Sequence, residues 1–233
     1  MINKASHKVV FLNLKKRLIL FSSLAATLII ISSALATNAS QGSIEASINK
    51  LNSSVKEERV AAARHLAGVK SERATEGLVQ ALDNSDREVR EIAVDALAGR
   101  VNNDEVGTRA VEGLVHALDN SSTSVRRKAV NGLSSSSSER ATEGLIHALD
   151  SSDEDVARSA VDSLARRVHG SDSSDRAVEG LIHALDNEQF QVRKAAVLGL
   201  RDANTSRSRD GLKHALNDSD ERIRQMAKEA LHQ

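Results

Sequence analysis

Four histidines recur at one position of a repeated segment: His116, His147, His183 and His214, with Gln80 at the same place one repeat earlier. Imidazoles bind metals and titrate near neutral pH. One zinc ion needs ligand nitrogens at about 2 Å, whereas helices of neighbouring repeats pack about 8 to 10 Å apart. We therefore expect a repeated polar face and no shared metal site. The alternative is a pH-sensitive face, which binding or melting curves that stay flat between about pH 5 and 7.5 would exclude.

Arginine and aspartate form a second row. The arginines are Arg59, Arg90, Arg126, Arg193 and Arg224, and Asp83, Asp119 and Asp186 each stand seven residues before one of them. A guanidinium can bridge a carboxylate and a turn carbonyl because it has several donors. Anion binding is the alternative use of such a row, and the acid that accompanies the base disfavours it.

The composition excludes several kinds of chemistry. The 233 residues include no Cys, Pro, Trp or Tyr and only three Phe. Disulfides, thiolate catalysis, thiolate metal sites and aromatic stacking platforms are therefore excluded together. Residues 1–36 carry five basic residues and no acid, which leaves 27 basic and 32 acidic residues in the body. A net negative body disfavours nucleic-acid binding, which needs a basic footprint.

The first 36 residues have the pattern of an export signal. Lys15, Lys16 and Arg17 precede an apolar stretch, residues 18–36, that ends in Ala34-Leu35-Ala36. The sequence predicts a secretory signal peptide cleaved after Ala36, and an uncleaved membrane anchor is the alternative. Either alternative makes residues 37–43 a linker and places the rest of the chain outside the cytoplasm. The protein would then be periplasmic or secreted, or it would be tethered to the membrane by the uncleaved anchor.

A Glu-Gly-Leu segment recurs along the body, with its glycine at Gly77, Gly113, Gly144 and Gly180, and an Asp-Gly-Leu variant follows at Gly211. The glycines are 36, 31, 36 and 31 residues apart. Shifting residues 74–140 by 67 onto 141–207 leaves 36 of 67 positions identical, which indicates a duplicated pair of repeats. The sequence predicts six units, at about 44–73, 74–109, 110–140, 141–176, 177–209 and 210–233.

Each unit has the apolar spacing of two short helices. Leu145, Ala148 and Leu149 stand at i, i+3 and i+4 in a first helix, and Val89, Ala93 and Leu97 form one stripe of a second. So short a pair cannot bury its own stripe, which predicts an all-α solenoid of about six stacked helix pairs. Polar outer positions in the last unit are typical of a terminal cap. The glycine inside each first helix is unfavourable by about 1 kcal/mol relative to alanine, so it indicates close helix approach or a relic of duplication.

Residues 180–197 read Gly-Leu-Ile-His-Ala-Leu-Asp followed by Val-Arg and Ala-Val. This pattern resembles HEAT repeats of the short bacterial type, and the resemblance covers residues 44–233. It implies an Asp-to-Arg ladder between successive turns, made by Asp83, Arg90, Asp119, Arg126, Asp186, Arg193 and Arg224. Ala157 departs from the pattern, because an arginine is expected there. The five extra residues of the longer units, near 100–108 and 167–175, are interpreted as spacers.

The resemblance also places one side of the second helices on a concave surface, which is a common binding surface in solenoids. Residues there vary most between repeats. The candidate partner-binding residues are Glu91, Asp95, Arg127, Asn131, Arg158, Asp162, Phe190, Lys194 and Leu198. They form a basic strip flanked by acids, with Phe190 and Leu198 as an apolar spot. An ordinary solvated face would have a similar composition.

These features favour an exported, monomeric, non-catalytic scaffold that binds a protein, without cofactor or metal. The alternative is an enzyme, because two enzyme families resemble HEAT arrays: di-iron deoxyhypusine hydroxylase and the phycobilin lyases. The hydroxylase pattern implies His-Glu pairs as iron ligands, and no histidine here is followed by Glu. A bilin lyase would have to grip a tetrapyrrole with almost no aromatic surface.

Overall fold

The computed structural model describes residues 40–169 and 174–232. The predicted signal segment and its cleavage site lie outside the described residues. The chain divides into two compact units, Met1–Ala46 and Ser47–Gln233, and residues 40–46 of the first are helical. In the described ranges, no helix combines the length and the apolar character needed to cross a bilayer.

The described residues form twelve α-helices and no strand, which confirms the all-α prediction. Residues 40–43, predicted as linker, are part of the first helix. The helices are α1 (40–50), α2 (Lys56–Gly68), α3 (Glu72–Ala81), α4 (Arg87–Ala98), α5 (Gly107–Ala117), α6 (Thr123–Ser134), α7 (Glu139–His147), α8 (Glu154–Arg167), α9 (Ser174–His183), α10 (Phe190–Ala203), α11 (Ser206–Ala215) and α12 (Glu221–Leu231).

Within the unit from Ser47 onward, the helices form two layers. The first helices of the pairs, α3, α5, α7, α9 and α11, pack side by side, and the second helices, α2, α4, α6, α8, α10 and α12, form the other layer. Successive second helices contact each other more extensively than successive first helices do. The second helices therefore line the inner side of the curve, as the solenoid prediction requires.

The core lies between the layers and consists of Leu, Val, Ala and Ile side chains, with a recurrent leucine in most helices. Leu97, Leu133, Leu164 and Leu200 of the second helices are fully buried, as are Leu78, Leu114, Leu145 and Leu181 of the first helices. Complete burial of such a side chain stabilises by about 1.5 to 3 kcal/mol. Leu97 and Leu133 lie beside Gly113 and Gly144 of the following pair, so the core is shared between successive pairs.

The recurrent glycines of the first helices lie where a neighbouring helix comes close. A Cβ on Gly113 would lie 2.7 Å from Cγ2 of Val79 and 3.0 Å from Cδ1 of Leu97, both from the preceding pair. Gly144 has the same relation to Val115 and Leu133. The glycine gives room for one β-branched side chain and one leucine, which supports the close-approach interpretation.

Candidate functional site

The inner face is the exposed side of the second helices, at positions 87, 88, 91, 92 and 95 of α4 and the equivalent positions of α6, α8 and α10. All nine candidate partner-binding residues lie on it. Five are exposed and four are half-buried: Asp95, Arg127, Asn131, Arg158 and Asp162 are exposed, and Glu91, Phe190, Lys194 and Leu198 are half-buried. The helical spacing therefore brings these residues onto one surface.

Ion pairs cross the inner face between successive second helices. Asp95 of α4 accepts a hydrogen bond from Nζ of Lys128 in α6 at 2.6 Å, and Arg127 of α6 donates to Asp155 in α8 at 2.7 Å. Exposed pairs of this kind contribute about 0 to 1 kcal/mol each. Their main consequence is electrostatic, since most charges of the predicted basic strip are neutralised within the protein.

Pairs within one helix neutralise further charges on this face. Nε of Arg87 donates to Glu91 at 2.8 Å, and Arg158 lies 3.7 Å from Asp162. The hydrogen bond from Arg87, followed by one from Ser124, lowers the pKa of Glu91 below its ordinary value. Glu91 is therefore a carboxylate whose acceptor capacity is already engaged.

The apolar spot has an unexpected organisation around Phe190. The guanidinium of Arg222 in α12 lies 3.9 Å from the centre of the Phe190 ring. Arg222 is held there by Asp220, to which Nε and Nη2 donate at 3.0 and 2.7 Å. The hydrogen bonds from the side chain and the backbone N–H of Arg222 lower the pKa of Asp220 to about 2. Arg222 is one of the polar outer positions of the last unit that were interpreted as a terminal cap, and its contact with the ring was not expected from the sequence.

The arginine row holds turns, and its acidic partners differ from the predicted ones. Nη1 of Arg90 donates to the carbonyl oxygens of Asn84 and Ser85 at 2.7 and 3.0 Å. The same pair of bonds recurs at Arg59, Arg126, Arg193 and Arg224.

The carboxylates that reach these arginines come from the next repeat. Arg59 donates to Asp86 at 3.2 Å and Arg193 to Asp218 at 2.9 Å, and Arg126 lies 4.0 Å from Asp153. In the described part of the chain Asp83, Asp119 and Asp186 make no ion pair with the arginine row.

The predicted acidic partners belong to the histidine row. Nε2 of His116 lies 3.0 Å from Asp83, and the other contacts are His147 with Asp119 at 2.9 Å, His183 with Asp150 at 3.0 Å and His214 with Asp186 at 2.8 Å. The reason is positional. Each aspartate follows the end of a first helix and faces the next first helix, whereas the arginine points into the turn. The Asp-to-Arg ladder is therefore replaced by a His-Asp ladder and a separate arginine-to-turn ladder.

Among the row arginines that are followed by another repeat, Arg90 lacks an acidic partner in the described residues. Ser122 occupies the place in the third pair that Asp86 occupies in the second, and the side chain of Ser122 caps no backbone N–H of α6. Among the described residues no carboxylate pairs with Arg90, and its Nε is buried without a hydrogen bond. We call the contact between two successive helix pairs a seam. The seam between the second and third pairs therefore lacks both a side-chain cap for α6 and a counter-charge for Arg90.

Ser122→Asp should correct both deficiencies. We expect a gain of about 1 kcal/mol in the free energy of unfolding, because the new carboxylate can cap α6 and face Arg90. Urea denaturation measures it. Asp86→Ser is the matched control and should lose a similar free energy of unfolding. Asp86 caps α4 by accepting a hydrogen bond from the backbone N–H of Glu88, and it also pairs with Arg59. A loss of stability in Ser122→Asp would contradict this account.

The fourth pair, where Ala157 replaces the expected arginine, has a substitute bond. Nε2 of Gln189, in the next pair, donates to the carbonyl oxygen of Ser152 at 3.1 Å. Gln189 stands where Asp86 and Asp153 stand in other pairs. A neutral Ala-Gln combination thus replaces the Arg-Asp combination, and no charge is left unpaired at that seam.

Two further sets of residues that join successive helix pairs were not expected from the sequence. Nδ2 of Asn84, Asn120 and Asn187 donates to the carbonyl oxygens of Leu51, Leu82 and Leu149 in the preceding pair, at 2.7 to 2.9 Å. Arg100, which is 2% exposed, donates to Thr75, Leu66, Ala67 and Val69. Burial lowers the pKa of Arg100. The signal was the repetition of Arg100 as Arg167 and of Thr75 as Thr142.

The face of the first helices carries its own ion pairs and no assembled metal site. Arg176 lies 3.6 Å from Glu143 of the preceding pair and 3.2 Å from Glu179 of its own helix. In residues 40–169 and 174–232, no group of three or more His, Asp or Glu side chains could hold a metal ion. The histidine row is therefore distributed along the array and engaged pair by pair.

Comparisons with known proteins agree with this geometry. The family model described as HEAT repeats matches residues 44–108, 76–165 and 142–232. The chain belongs to the HEAT repeat family. None of the curated protein sequences compared with it matches.

Solved structures similar to this HEAT repeat protein include natural and designed proteins. YibA of Escherichia coli has a TM-score of 0.51 at 18% identity, over 83% of this chain and 82% of that one. The CpcE–CpcF complex of phycocyanin lyase from Nostoc sp. PCC7120 has a TM-score of 0.46 at 22% identity, over 79% and 74%. A designed armadillo repeat protein in complex with the peptide (KR)4 has a TM-score of 0.47 at 23% identity, over 80% and 97%.

Proposed function

We propose that this HEAT repeat protein is an exported, non-catalytic scaffold that binds a protein partner along the inner face. The observation that carries the proposal is where the two duplicated copies differ. Of the ten inner-face positions in α4 and α6, only Asp95 keeps its identity in the second copy, as Asp162. Nine of the ten positions therefore differ between the copies, on the surface that a solenoid offers to partners.

The outer face shows the opposite behaviour. Glu76, Arg109, Glu112 and His116 recur unchanged 67 residues later. These residues form the Arg-Glu and His-Asp contacts between successive first helices, for instance Arg109 with Glu76 at 3.7 Å. A face that serves only to join repeats needs the same residues in each copy, whereas a face that binds one partner needs different ones.

Site-specific crosslinking tests the location. A photo-crosslinking amino acid at Asn131 or Asp162, both exposed on the inner face, should capture a defined protein in the source cells. The same amino acid at Gln80 or Glu112, exposed on the first helices, is the matched control and should capture far less. Equal capture from both faces, or none from the inner face, would contradict the scaffold.

Export is part of the proposal and has a separate test. The basic start followed by an apolar stretch and the small residues Ala34 and Ala36 supports cleavage after Ala36. N-terminal sequencing of the mature protein should therefore begin at Thr37. A mature chain that begins at Met1 would argue against cleavage, and fractionation would then decide between an anchored and a cytoplasmic protein.

The enzymatic alternative is a separate candidate, because two enzyme families resemble HEAT arrays. The described histidines give an enzymatic function little support. Each histidine of the row is already engaged by an aspartate of the preceding pair. Metal analysis and an absorption spectrum of the protein purified from its source distinguish the two functions. Stoichiometric iron or a visible chromophore would favour the enzyme over the scaffold.

A further inference from the structure

One inner-face stripe differs in chemistry from all the others, and it bears on what the scaffold binds. Phe190, Lys194 and Leu198 stand four residues apart along α10, so they lie on one side of the helix. We name these three residues the α10 stripe. The corresponding residues of α6 are Thr123, Arg127 and Asn131, all polar. The α10 stripe therefore alternates apolar, cationic and apolar groups.

Lys194 has no ion-pair or hydrogen-bond partner among the described residues. The reason follows from the preceding copy, where Arg127 reaches Asp155 of the next second helix at 2.7 Å. Lys194 of α10 corresponds to Arg127 of α6, and the next second helix after α10 is α12. At the position of α12 that corresponds to Asp155 of α8, the chain has Arg222. A second cation therefore stands where the counter-charge should be, and the charge of Lys194 is left uncompensated on a half-buried side chain.

Arg222 does not compete for an anion that approaches Lys194. Its guanidinium is neutralised by Asp220 through two hydrogen bonds and lies against one side of the Phe190 ring. The Arg222–Asp220 pair holds the Phe190 ring at the start of the stripe. The Phe190 side chain is half-buried, so part of it stays accessible to a partner. Phe190 is the only Phe, Tyr or Trp in the part of the chain that the structure describes, and large aromatic side chains are common binding anchors.

The spacing of the stripe corresponds to an extended peptide. Residues four apart in a helix are separated by about 6 Å along the axis, at about 1.5 Å per residue. Side chains on one side of an extended strand are about 6.6 Å apart, because they alternate at about 3.3 Å per residue. Three alternate residues of a strand can therefore lie opposite Phe190, Lys194 and Leu198 in turn.

We infer that the α10 stripe binds an extended protein segment with an acidic residue flanked two positions away on each side by apolar residues. This rests on the proposed function and specifies the chemistry of the partner. The carboxylate supplies the counter-charge that Lys194 lacks, and the flanking apolar side chains cover Phe190 and Leu198. The ion pair is only partly desolvated, so affinity should be modest and should fall with added salt.

A phage library of random 12-residue peptides, selected on the folded protein, tests this chemistry. The wild type should enrich peptides with Asp or Glu between apolar residues at the two flanking alternate positions. Lys194→Glu should enrich Lys or Arg at the central position instead. Binding of the best wild-type peptide, labelled and followed by fluorescence anisotropy, should weaken at least tenfold in Lys194→Glu.

Two control variants separate the parts of the stripe. Arg127→Glu changes a paired cation on α6 and should leave the enriched pattern unchanged. Leu198→Asn, which copies Asn131, should abolish the apolar preference on one flank and keep the acidic preference. Circular dichroism and thermal melting check that each variant is folded.

The proposal fails if the library yields no enriched pattern, or if Lys194→Glu selects the same acidic peptides as the wild type. That result remains distinguishable from failure of the scaffold. Crosslinks from Asn131 and Asp162 with an unaltered library pattern would retain inner-face binding and reject the α10 stripe as its anchor. Absence of both would reject both.

Discussion

Arg100→Met is expected to lower the free energy of unfolding by about 3 kcal/mol. The guanidinium donates to Oγ1 of Thr75 at 2.7 Å and to the carbonyl oxygens of Leu66, Ala67 and Val69 at 2.7 to 3.1 Å. Methionine fills a similar volume and donates nothing. Carbonyls at the end of α2 would then be left without a donor, and each such buried group is unfavourable by about 1 to 3 kcal/mol.

Urea denaturation followed by circular dichroism measures the effect, with Arg87→Met as the matched control. The Arg87 side chain is 69% exposed, and within the described ranges its one ion pair is with Glu91 of its own helix, so its loss should change stability by less than about 0.5 kcal/mol. Arg167→Met should behave like Arg100→Met, because Arg167 donates to Thr142 and to the carbonyl oxygens of Leu133 and Ser136. Equal stability of Arg100→Met and Arg87→Met would show that the buried arginine is dispensable.

Arg100 and Arg167, which stand at the start of the extra segments of the longer repeats, join those repeats to the preceding helix pair. The five extra residues after Arg100 were interpreted as a spacer, yet Arg100 itself reaches back to the end of α2 and to α3. An arginine beside an insertion is expected on the surface, because arginine is rarely buried. Here the acceptors are carbonyls at a helix end, which carry partial negative charge and satisfy a cation without a carboxylate. Composition could not reveal those acceptors.

The fold itself was predictable for a simple physical reason. Apolar residues at helical spacing define one stripe per helix, and so short a helix pair can bury that stripe only against a neighbour. Repetition then shows that the neighbour is another copy. Val89, Ala93 and Leu97, read from the sequence as a stripe, are all fully buried.

The seams were only partly predictable. The sequence identifies columns of residues, such as the arginine row and the aspartates seven residues before it, but not the direction in which each side chain points. Asp83 faces His116 of the next first helix, while Arg90 turns to the carbonyl oxygens of Asn84 and Ser85. Both bonds depend on how two successive pairs are offset, and this offset is set by close packing of the core.

The inner face shows the same division between position and pairing. Helical periodicity placed all nine candidate residues on one surface. It did not show that Asp95 contacts Lys128 or that Arg127 contacts Asp155. Those contacts change the interpretation, because they neutralise most of the basic strip. They leave Lys194 as the member whose charge is available to a partner.

Gly132→Ala is expected to be the second large loss, about 2 kcal/mol in the free energy of unfolding. A Cβ at Gly132 would lie 2.7 Å from Cδ1 of Leu114, 2.8 Å from Cβ of Ala98 and 3.2 Å from Cα of Ala98. Leu114 can rotate, but Ala98 can move only with the backbone of α4. The overpacking therefore exceeds the gain in helix propensity, which is about 1 kcal/mol.

Comparison with two other glycines separates packing from propensity. A Cβ at Gly68, at the end of α2, meets nothing within 4 Å, so Gly68→Ala should gain up to about 1 kcal/mol. Gly144→Ala should fall between the two, because Cγ2 of Val115 at 2.8 Å and Cδ1 of Leu133 at 3.0 Å belong to side chains that can shift. Denaturant unfolding of the three variants should give this order. If all three were stabilised, the glycines would be relics of duplication and the close approach would not need them.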